Sequence, residues 1–226
     1  MKIVRILAET DRGDALWEQA YVRFETAEQE TRKFLRRLQQ LGATAWPRDA
    51  QVVELFCGQG NGLKALEALG FQRLEGVDLS ERLLRRYNGP ATLYVCDCRR
   101  LPFADGSRDI VIVQGGLHHL REVPDDLEDV LREIRRVLRP QGHLVVVEPW
   151  LTPFLRVVHS VCRNRLARRL SRRIGALAVM IEREGRTYEG WLSHPAEIHD
   201  RLEAQFRPDR LRIRWGKLMF VGRPTT

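Results

Sequence analysis

The sequence predicts an α/β fold, with a mostly parallel sheet, helices on both of its faces and an antiparallel hairpin at the end. Between residues 51 and 147, short segments rich in Val, Ile and Leu alternate with helical patterns. Strands that are apolar on both faces and separated by helices are typical of a buried parallel sheet. The two strand patterns on either side of Gly216 predict the closing hairpin.

The segment VVELFCGQGNG, residues 52–62, organises the rest of the chain. The segment begins with apolar residues around the acidic Glu54 and ends with glycines at alternate positions, Gly58, Gly60 and Gly62. This order predicts a buried strand, a tight loop that a ligand can approach, and the start of a helix. A tight structural turn is the alternative interpretation of the glycines.

The remaining elements are assigned from periodicity and from Gly and Pro stops. Two helices with a break near Thr26 are expected within residues 10–42. The predicted strands are 51–56, 73–77, 92–95, 109–113 and 143–147, and the predicted helices are 62–69, 80–86, 124–139 and 196–205, with a basic helical insertion at 152–186. A chain of 226 residues with 43% hydrophobic and 30% charged residues is expected to form one domain.

Composition leaves the class of partner open. The net charge of +8 is compatible with nucleic acid, an anionic membrane or an anionic substrate. No apolar run approaches the roughly 20 residues that span a bilayer, and the charged N-terminus is unlike a signal peptide, so we expect a soluble cytoplasmic protein. The four cysteines include no C-x-x-C pair, which favours reduced thiols and no metal site.

Five motifs, in order along residues 51–149, resemble those of class I S-adenosylmethionine-dependent methyltransferases, in the small-molecule branch related to the ubiquinone-type methylases. They are ELFCGQGNG, GVDLS, CDCRRLPFADGSRDIVIV, GGLHHL and LREIRRVLRPQGHLVVVEP. One glycine loop is a weak signal, whereas five ordered motifs are specific. The resemblance implies a Rossmann-like, seven-stranded sheet whose last strand is antiparallel. It also implies S-adenosyl-L-methionine as cofactor and S-adenosyl-L-homocysteine as product.

The resemblance also implies a domain organisation. Residues 1–226 would form a single methyltransferase domain. Within it, 1–47 would be a helical lid, 51–150 the cofactor-binding core, 151–205 a substrate-lid insertion, and 206–226 the terminal strand hairpin.

The candidate cofactor residues follow the predicted strands. Gly58 and Gly60 would allow close approach of the methionyl part, and Glu54 would bind its ammonium group. Asp78, at the end of the second strand of this core, could accept hydrogen bonds from both ribose hydroxyls. The other candidates are Leu79 against adenine, Asp97 and Cys98 at its amino group, and Gln114 at the crevice.

Phe56 departs from the family pattern, which usually has glycine at this position. A bulky ring there should either narrow the space beside the methionine or pack under the loop. Phe56 is therefore counted among the cofactor-binding candidates.

His118 and His119 are the catalytic candidates, because an imidazole could remove a proton from the acceptor as the methyl group moves. A structural or substrate-shaping role is the alternative, since methyl transfer from a sulfonium can proceed through positioning alone. The candidate substrate residues, weaker than the others, are Tyr21, Phe24, Trp150, Tyr188 and Trp191.

The predicted function is transfer of a methyl group to an oxygen or nitrogen atom of a small-molecule acceptor, which could be anionic or lipid-linked, in the biosynthesis of a natural product, glycan or lipid. An RNA methyltransferase and a catalytically silent cofactor-binding module are the alternatives. The sequence contains neither an asparagine-proline-proline-tyrosine signature nor a recognisable RNA-binding module, which disfavours the RNA methyltransferase. Leu63 replaces the third glycine of a dinucleotide loop, which disfavours a dehydrogenase.

The seven arginines between Arg156 and Arg173 are interpreted first as a solvated helix face, and second as a surface for an anionic substrate or membrane.

Overall fold

Eight strands form one sheet in the computed structural model, which describes residues 2–6 and 15–225. They are β1 (Lys2–Arg5), β2 (Gln51–Leu55), β3 (Arg73–Asp78), β4 (Thr92–Val95), β5 (Arg108–Gln114), β6 (Leu138–Pro149), β7 (Phe206–Arg214) and β8 (Lys217–Pro224). Their spatial order is β1-β4-β3-β2-β5-β6-β8-β7. Pairs are parallel from β1 to β6, and β8 is antiparallel to both β6 and β7. The mostly parallel sheet and the terminal hairpin are confirmed.

The expectation of seven strands was wrong by one. Residues Lys2–Arg5, assigned from sequence to the helical lid, form β1 and pair in parallel with β4 at the edge of the sheet. The strand has four residues and only partial burial. A segment this short and this exposed shows too little alternation for a strand to be recognised from sequence.

The helices lie largely where periodicity predicts them. They are α1 (Ala15–Phe24), α2 (Ala27–Leu41), α3 (Asn61–Ala68), α4 (Glu81–Leu84), α5 (Asp125–Val137), α6 (Pro153–Arg163), α7 (Arg165–Leu170), α8 (Arg172–Ser193) and α9 (Pro195–Gln205). Thr26 is the N-cap of α2, with a reciprocal capping box to Gln29, which explains the predicted break there. The predicted helical start at residue 10 lies outside the described residues.

Both faces of the sheet are buried, as the apolar strand patterns predict. Along β2 and β5, alternate side chains enter two different apolar clusters. Val53 and Val111 belong to the cluster that contains α5, whereas Val52 and Ile110 belong to the cluster that contains α2 and α3. The chain extends from β2 to β3 in one direction and returns to β5 on the other side of β2. The crevice at the carboxyl ends of β2 and β5 is therefore the expected ligand position of an open α/β sheet.

Candidate active site

The glycine loop connects β2 to α3 through left-handed backbone conformations. Gly58 has a φ of 54° and Gly60 a φ of 76°, a region that favours glycine. A Cβ at Gly60 would lie 2.4 Å from Tyr87, and one at Gly62 would lie 1.8 Å from Glu54 Oε1. A Cβ at Gly58 would meet nothing within 4 Å. Gly60 and Gly62 are thus fixed by packing, and Gly58 leaves open space beside the loop.

Phe56 occupies the left-handed region as well, with a φ of 54°. This conformation explains why the family usually has glycine here, since a side chain in this region costs about 1–2 kcal/mol. The ring packs against Gly116, where an added Cβ would lie 2.3 Å from Phe56 Cγ. The Phe56 ring thus links the glycine loop to the loop after β5, and its predicted effect on the space beside the methionine stays a prediction.

This packing makes Phe56 and Gly116 energetically coupled. Gly116→Ala should destabilise the chain by about 1–3 kcal/mol, because the new methyl group overlaps the Phe56 ring. In a Phe56→Gly background the ring is gone. Gly116→Ala should then cost only a few tenths of a kcal/mol, about the deviation from additivity that independent sites show. Urea unfolding of the four proteins of this cycle measures the coupling. Equal costs of Gly116→Ala in the two backgrounds would refute the contact.

Asp78 joins the glycine loop to the end of β3. Its Oδ2 accepts a hydrogen bond from the Gly58 N–H, and its Oδ1 accepts one from the Ser80 N–H, both at 2.8 Å. Burial raises the pKa of Asp78, although these backbone donors act in the opposite direction. Leu79 is 39% exposed beside it. The structure therefore brings the predicted ribose and adenine residues next to the open side of Gly58.

Asp97 lies in a different electrostatic setting from Asp78. Its carboxylate forms a close ion pair with Arg99, at 2.6 Å between Nη2 and Oδ2, and Arg99 also contacts Asp126. Partial burial opposes ionisation, but the contacts with Arg99 outweigh it and lower the pKa of Asp97. The Cys98 side chain is buried. The predicted adenine contact of Asp97 therefore competes with an existing ion pair and stays a prediction.

Several buried polar atoms near the glycine loop lack hydrogen-bond partners. Within residues 2–6 and 15–225, six such atoms occur: Glu75 Oε2 and Arg108 Nε face each other in an ion pair at 2.6 Å, and the other four are Glu54 Oε2, Asn61 Oδ1 and both polar atoms of the Gln114 amide. These four lie at the ends of β2 and β5 and at the start of α3. Burial, aided by the charge of Glu30, raises the pKa of Glu54 to about 8. A ligand with an ammonium group and polar oxygens, as on the methionyl part of the expected cofactor, fits this set of atoms.

The two histidines form a cluster with two glutamates. His118 Nδ1 donates to Glu148 Oε2 at 2.7 Å, and Glu148 Oε1 accepts from the N–H groups of Gly116 and Leu117. His118 Nε2 lies 3.6 Å from Glu184 Oε2. The His119 ring lies 4.2 Å from that of His118, measured between centroids. His118 is thus held by carboxylates of β6 and α8, and His119 lies against its ring.

The cluster holds its two imidazoles in different protonation states. Burial disfavours a charged His118, but the charges and hydrogen bonds of Glu148 and Glu184 outweigh it and raise the pKa of His118 to about 9. His119 is exposed at the edge of the cluster, yet desolvation by surrounding protein and the charge of His118 lower its pKa. At neutral pH, His118 is an imidazolium between carboxylates, and His119 is neutral with a free lone pair.

Ligand-type atoms of His118, His119 and Glu184 lie within 4.8 Å of one another, a spacing that a metal ion could use. Both nitrogens of His118 face carboxylate oxygens, however, at 2.7 and 3.6 Å. This arrangement favours a protonated ring, which has no lone pair for a metal. The expectation of no metal site stays a prediction.

His118 makes folding stability depend on pH. Because its pKa is raised from the ordinary 6.5 to about 9, the folded chain binds a proton that the unfolded chain has lost. The stabilisation is complete below pH 6.5 and disappears as the pH rises through about 9. We expect urea unfolding to show a loss of about 3 kcal/mol from His118 across this range in the wild type. His118→Gln should reduce this pH dependence and leave the part that comes from Glu54, whose raised pKa acts in the same direction up to about pH 8, and an unchanged slope in the variant would exclude His118 as a source.

The N-terminal helices and the insertion meet over this cluster. Trp17 Nε1 donates to Glu184 Oε1 at 2.7 Å, which joins α1 to α8. Gly185 interrupts α8 with a φ of 35° and a ψ of −100°, next to the glutamate that faces His118. Tyr21 stacks on Trp17 and donates to Glu30. The predicted lid helices therefore contribute side chains to the site.

The other predicted substrate residues divide into two groups. The Tyr188 ring packs edge-on to His118 at 5.8 Å, so it adjoins the cluster. Trp191 is fully buried and donates to the Pro149 carbonyl, and Trp150 is 8% exposed and packs against Trp191. Phe24 is partly buried in the last turn of α1. Only Tyr21 and Tyr188 have contacts that tie them to the candidate site.

Sequence reasoning missed the carboxylates Glu30, Glu148 and Glu184. Glu30 is buried and accepts a hydrogen bond from Asn61 at 2.7 Å beneath the glycine loop. Glu148 had one available signal, an acidic residue at the end of an otherwise apolar strand. Glu184 had a weaker one, its position beside a glycine within a helical pattern.

Comparisons with known proteins identify relatives of this chain. A family model described as a methyltransferase domain matches residues 53–146. The 27-O-demethylrifamycin SV methyltransferase of Amycolatopsis mediterranei is 28% identical over 112 residues, which cover 46% of this chain and 40% of the relative. The demethylmenaquinone methyltransferase of Bacillus velezensis is 35% identical over 109 residues, which cover 44% of this chain and 45% of the relative. The matches thus span less than half the length of these two relatives.

Similarity of fold extends over nearly the whole chain. The crystal structure of the PH0226 protein from Pyrococcus horikoshii OT3 superposes with a TM-score of 0.69 at 21% identity, covering 94% of this chain and 100% of that one. None of the helices in the described part of the chain combines the length and apolar character needed to cross a membrane.

Proposed function

We propose that the chain carries a class I S-adenosylmethionine-dependent methyltransferase domain and that it transfers the methyl group to an oxygen or nitrogen atom of a small-molecule acceptor. The observation that carries this proposal is the convergence of unpartnered buried polar atoms with Asp78 at the ends of β2, β3 and β5. When bound there, S-adenosyl-L-methionine supplies a methyl group already activated by its sulfonium. The protein's task is to bind, orient and exclude water.

Each part of the cofactor has residues that would hold it. Glu54 and Gln114 would bind the methionyl end, and the ammonium group would return Glu54 to its charged form. Asp78 would accept hydrogen bonds from the ribose hydroxyls through lone pairs that Gly58 and Ser80 do not use. Leu79 would cover the adenine.

The acceptor side lies at the histidine cluster. We assign the removal of the acceptor proton to His119, because it is exposed and its imidazole is neutral at physiological pH; its lowered pKa also makes it a weaker base than an ordinary imidazole. His118 is a positioning residue, since its charge is fixed between Glu148 and Glu184 and it lies against His119. Phe56 and Gly116 would connect this cluster to the cofactor loop.

An oxygen acceptor has support from the Amycolatopsis relative, whose name specifies O-methylation, whereas a relative from Desulfotalea psychrophila at 35% identity is named a C-methyltransferase. The RNA alternative rests on the net charge of +8 alone. Binding that weakens steeply with salt would be its signature, because phosphate contacts release counterions.

Turnover assays test the proposal. Purified chain is incubated with S-adenosyl-L-methionine and a panel of phenolic, hydroxylated and amine acceptors, and S-adenosyl-L-homocysteine is quantified. We expect product above background with at least one acceptor class, and far less with the Asp78→Ala variant at a limiting concentration of S-adenosyl-L-methionine. Methylation of RNA in place of these acceptors would refute the small-molecule assignment. Tight cofactor binding without turnover on either class would favour the silent module.

A further inference from the structure

Helix α6 carries two apolar stripes on different faces. The inward stripe repeats at spacings of three and four residues and is partly or fully buried: Leu155, Val158 and Cys162. The second stripe repeats at the same spacings and is exposed by 45%, 62% and 38%: Phe154, Val157 and Val161. A helix that packs only against its own protein has one such stripe. The outward stripe of α6 therefore needs a separate explanation.

The tip of the terminal hairpin extends this exposed apolar area. The Trp215 ring packs edge-on to Phe154, at 5.2 Å between centroids, and is 62% exposed as a residue. Ile213 and Leu151 are exposed by 47% and 36%. An open groove of about 500 Å³ lies between residues 150–154 and 213–215. We name the set Leu151, Phe154, Val157, Val161, Ile213 and Trp215 the α6–hairpin surface.

Positive charge surrounds the α6–hairpin surface. The segment from residue 149 to residue 181 contains no acidic residue and carries seven arginines. Several of these arginines are exposed on α6 and α7, namely Arg156, Arg163, Arg165 and Arg169. The edge strand β7 adds Arg214, which lines the groove and lies over the Trp215 ring. A basic helix that exposes an apolar stripe is the pattern of proteins that lie in the interface of an anionic membrane.

We propose that the α6–hairpin surface binds the surface of an anionic lipid bilayer, with its apolar side chains in the headgroup region and its arginines on the lipid phosphates. Charge complementarity favours this occupant over the others. A second copy of the chain would bring two arginine-rich faces together. Nucleic acid would satisfy the arginines and could stack on Trp215, but it offers little to the aliphatic Val157 and Val161.

The surface also adjoins the candidate acceptor site. His159 of α6 lies 3.1 Å from the Tyr188 hydroxyl, and the Tyr188 ring packs on His118. If the proposed function is correct, a bilayer bound here would place lipid-soluble acceptors near the histidine cluster. Binding to the bilayer does not itself depend on the methyltransferase reaction.

Flotation with vesicles tests the proposal. The full chain is mixed with vesicles of phosphatidylcholine alone or of phosphatidylcholine with phosphatidylglycerol, at low and at high salt. We expect flotation with the anionic vesicles at low salt, weaker flotation at high salt, and little with neutral vesicles. Absence of flotation with anionic vesicles at low salt would overturn the proposal.

Matched substitutions test whether vesicle binding depends on the α6–hairpin surface or only on the net charge of the chain. Val157→Asp and Trp215→Asp should each weaken vesicle binding about tenfold, because each removes an apolar contact and adds a repelled charge. Ile6→Asp is the control, since Ile6 is 50% exposed beyond β1, at the opposite edge of the sheet from β7. It should bind like the wild type. Equal binding by Val157→Asp and Ile6→Asp would overturn the proposal.

Two further measurements distinguish loss of vesicle binding from loss of folding and from self-association. Calorimetric binding of S-adenosyl-L-homocysteine should be unchanged in all three variants, which shows that they are folded and separates this proposal from the proposed function. Sedimentation of the wild type and Val157→Asp tests self-association. A wild-type dimer that Val157→Asp dissociates would overturn the proposal and assign the surface to a second copy. Salt-sensitive RNA binding lost in Val157→Asp would overturn it in favour of RNA.

Discussion

Asp78→Ala is expected to weaken the binding of S-adenosyl-L-homocysteine roughly 100-fold or more. The change removes an acceptor for two ribose hydroxyls, and hydrogen bonds to a charged group contribute about 1.5–3 kcal/mol each. It also releases the Gly58 N–H, which the Asp78 carboxylate holds at 2.8 Å. Isothermal titration calorimetry measures the affinity, and a thermal unfolding curve confirms that the variant is folded.

Asp97→Ala is the matched control for that experiment. Asp97 is also a carboxylate just beyond a strand of the same sheet, but its oxygens contact Arg99. We expect it to weaken binding less than about tenfold, because the Arg99 ion pair already occupies the Asp97 oxygens and leaves at most a hydrogen bond of ordinary strength, about 1 kcal/mol, to be lost. If both variants lost affinity equally, the distinction drawn from the ion pair would be wrong. If Asp78→Ala bound like the wild type, the cofactor would have to lie elsewhere.

His119→Ala is expected to reduce kcat by on the order of 10²-fold with an acceptor that must lose a proton during transfer. Removal of a positioned general base has an effect of this size. The affinity for S-adenosyl-L-homocysteine should stay within about threefold, since no cofactor contact is assigned to His119 and nearly equal binding corresponds to less than 1 kcal/mol. Initial rates and calorimetry on the same preparation give both quantities.

Two comparisons make the result for His119 specific. His199→Ala removes a partly exposed histidine of α9 that lies on a different part of the surface and should leave kcat unchanged. An acceptor that is already ionised at the assay pH should rescue His119→Ala to near the wild-type rate, because no proton then has to be removed. Equal loss of kcat with both kinds of acceptor would indicate a positioning role instead.

The order of elements could be predicted because its signals are local. The β2 and β5 segments are apolar on both faces, and Thr26 with Gln29 forms a capping box three residues apart. Periodicity and capping depend only on residues close in the chain. β1 was missed because four partly exposed residues gain their strand conformation from pairing with β4, which is distant in sequence.

The candidate site could be predicted only in part, for the same reason. The glycines, Asp78 and the two histidines stand in recognisable motifs. The carboxylates that set the protonation of His118 do not, since Glu148 comes from β6 and Glu184 from the kinked α8. Phe56 conflicts with the local preference of its backbone conformation, and Gly116, which accommodates the ring, lies beyond the next three strands.

The most direct test of the account is a calorimetric titration of the wild-type chain with S-adenosyl-L-homocysteine, with NAD titrated in parallel. We expect one site per chain for S-adenosyl-L-homocysteine and no binding of NAD, because the loop has Leu63 in place of the third glycine that a dinucleotide requires. Binding of NAD with no binding of S-adenosyl-L-homocysteine would contradict the account.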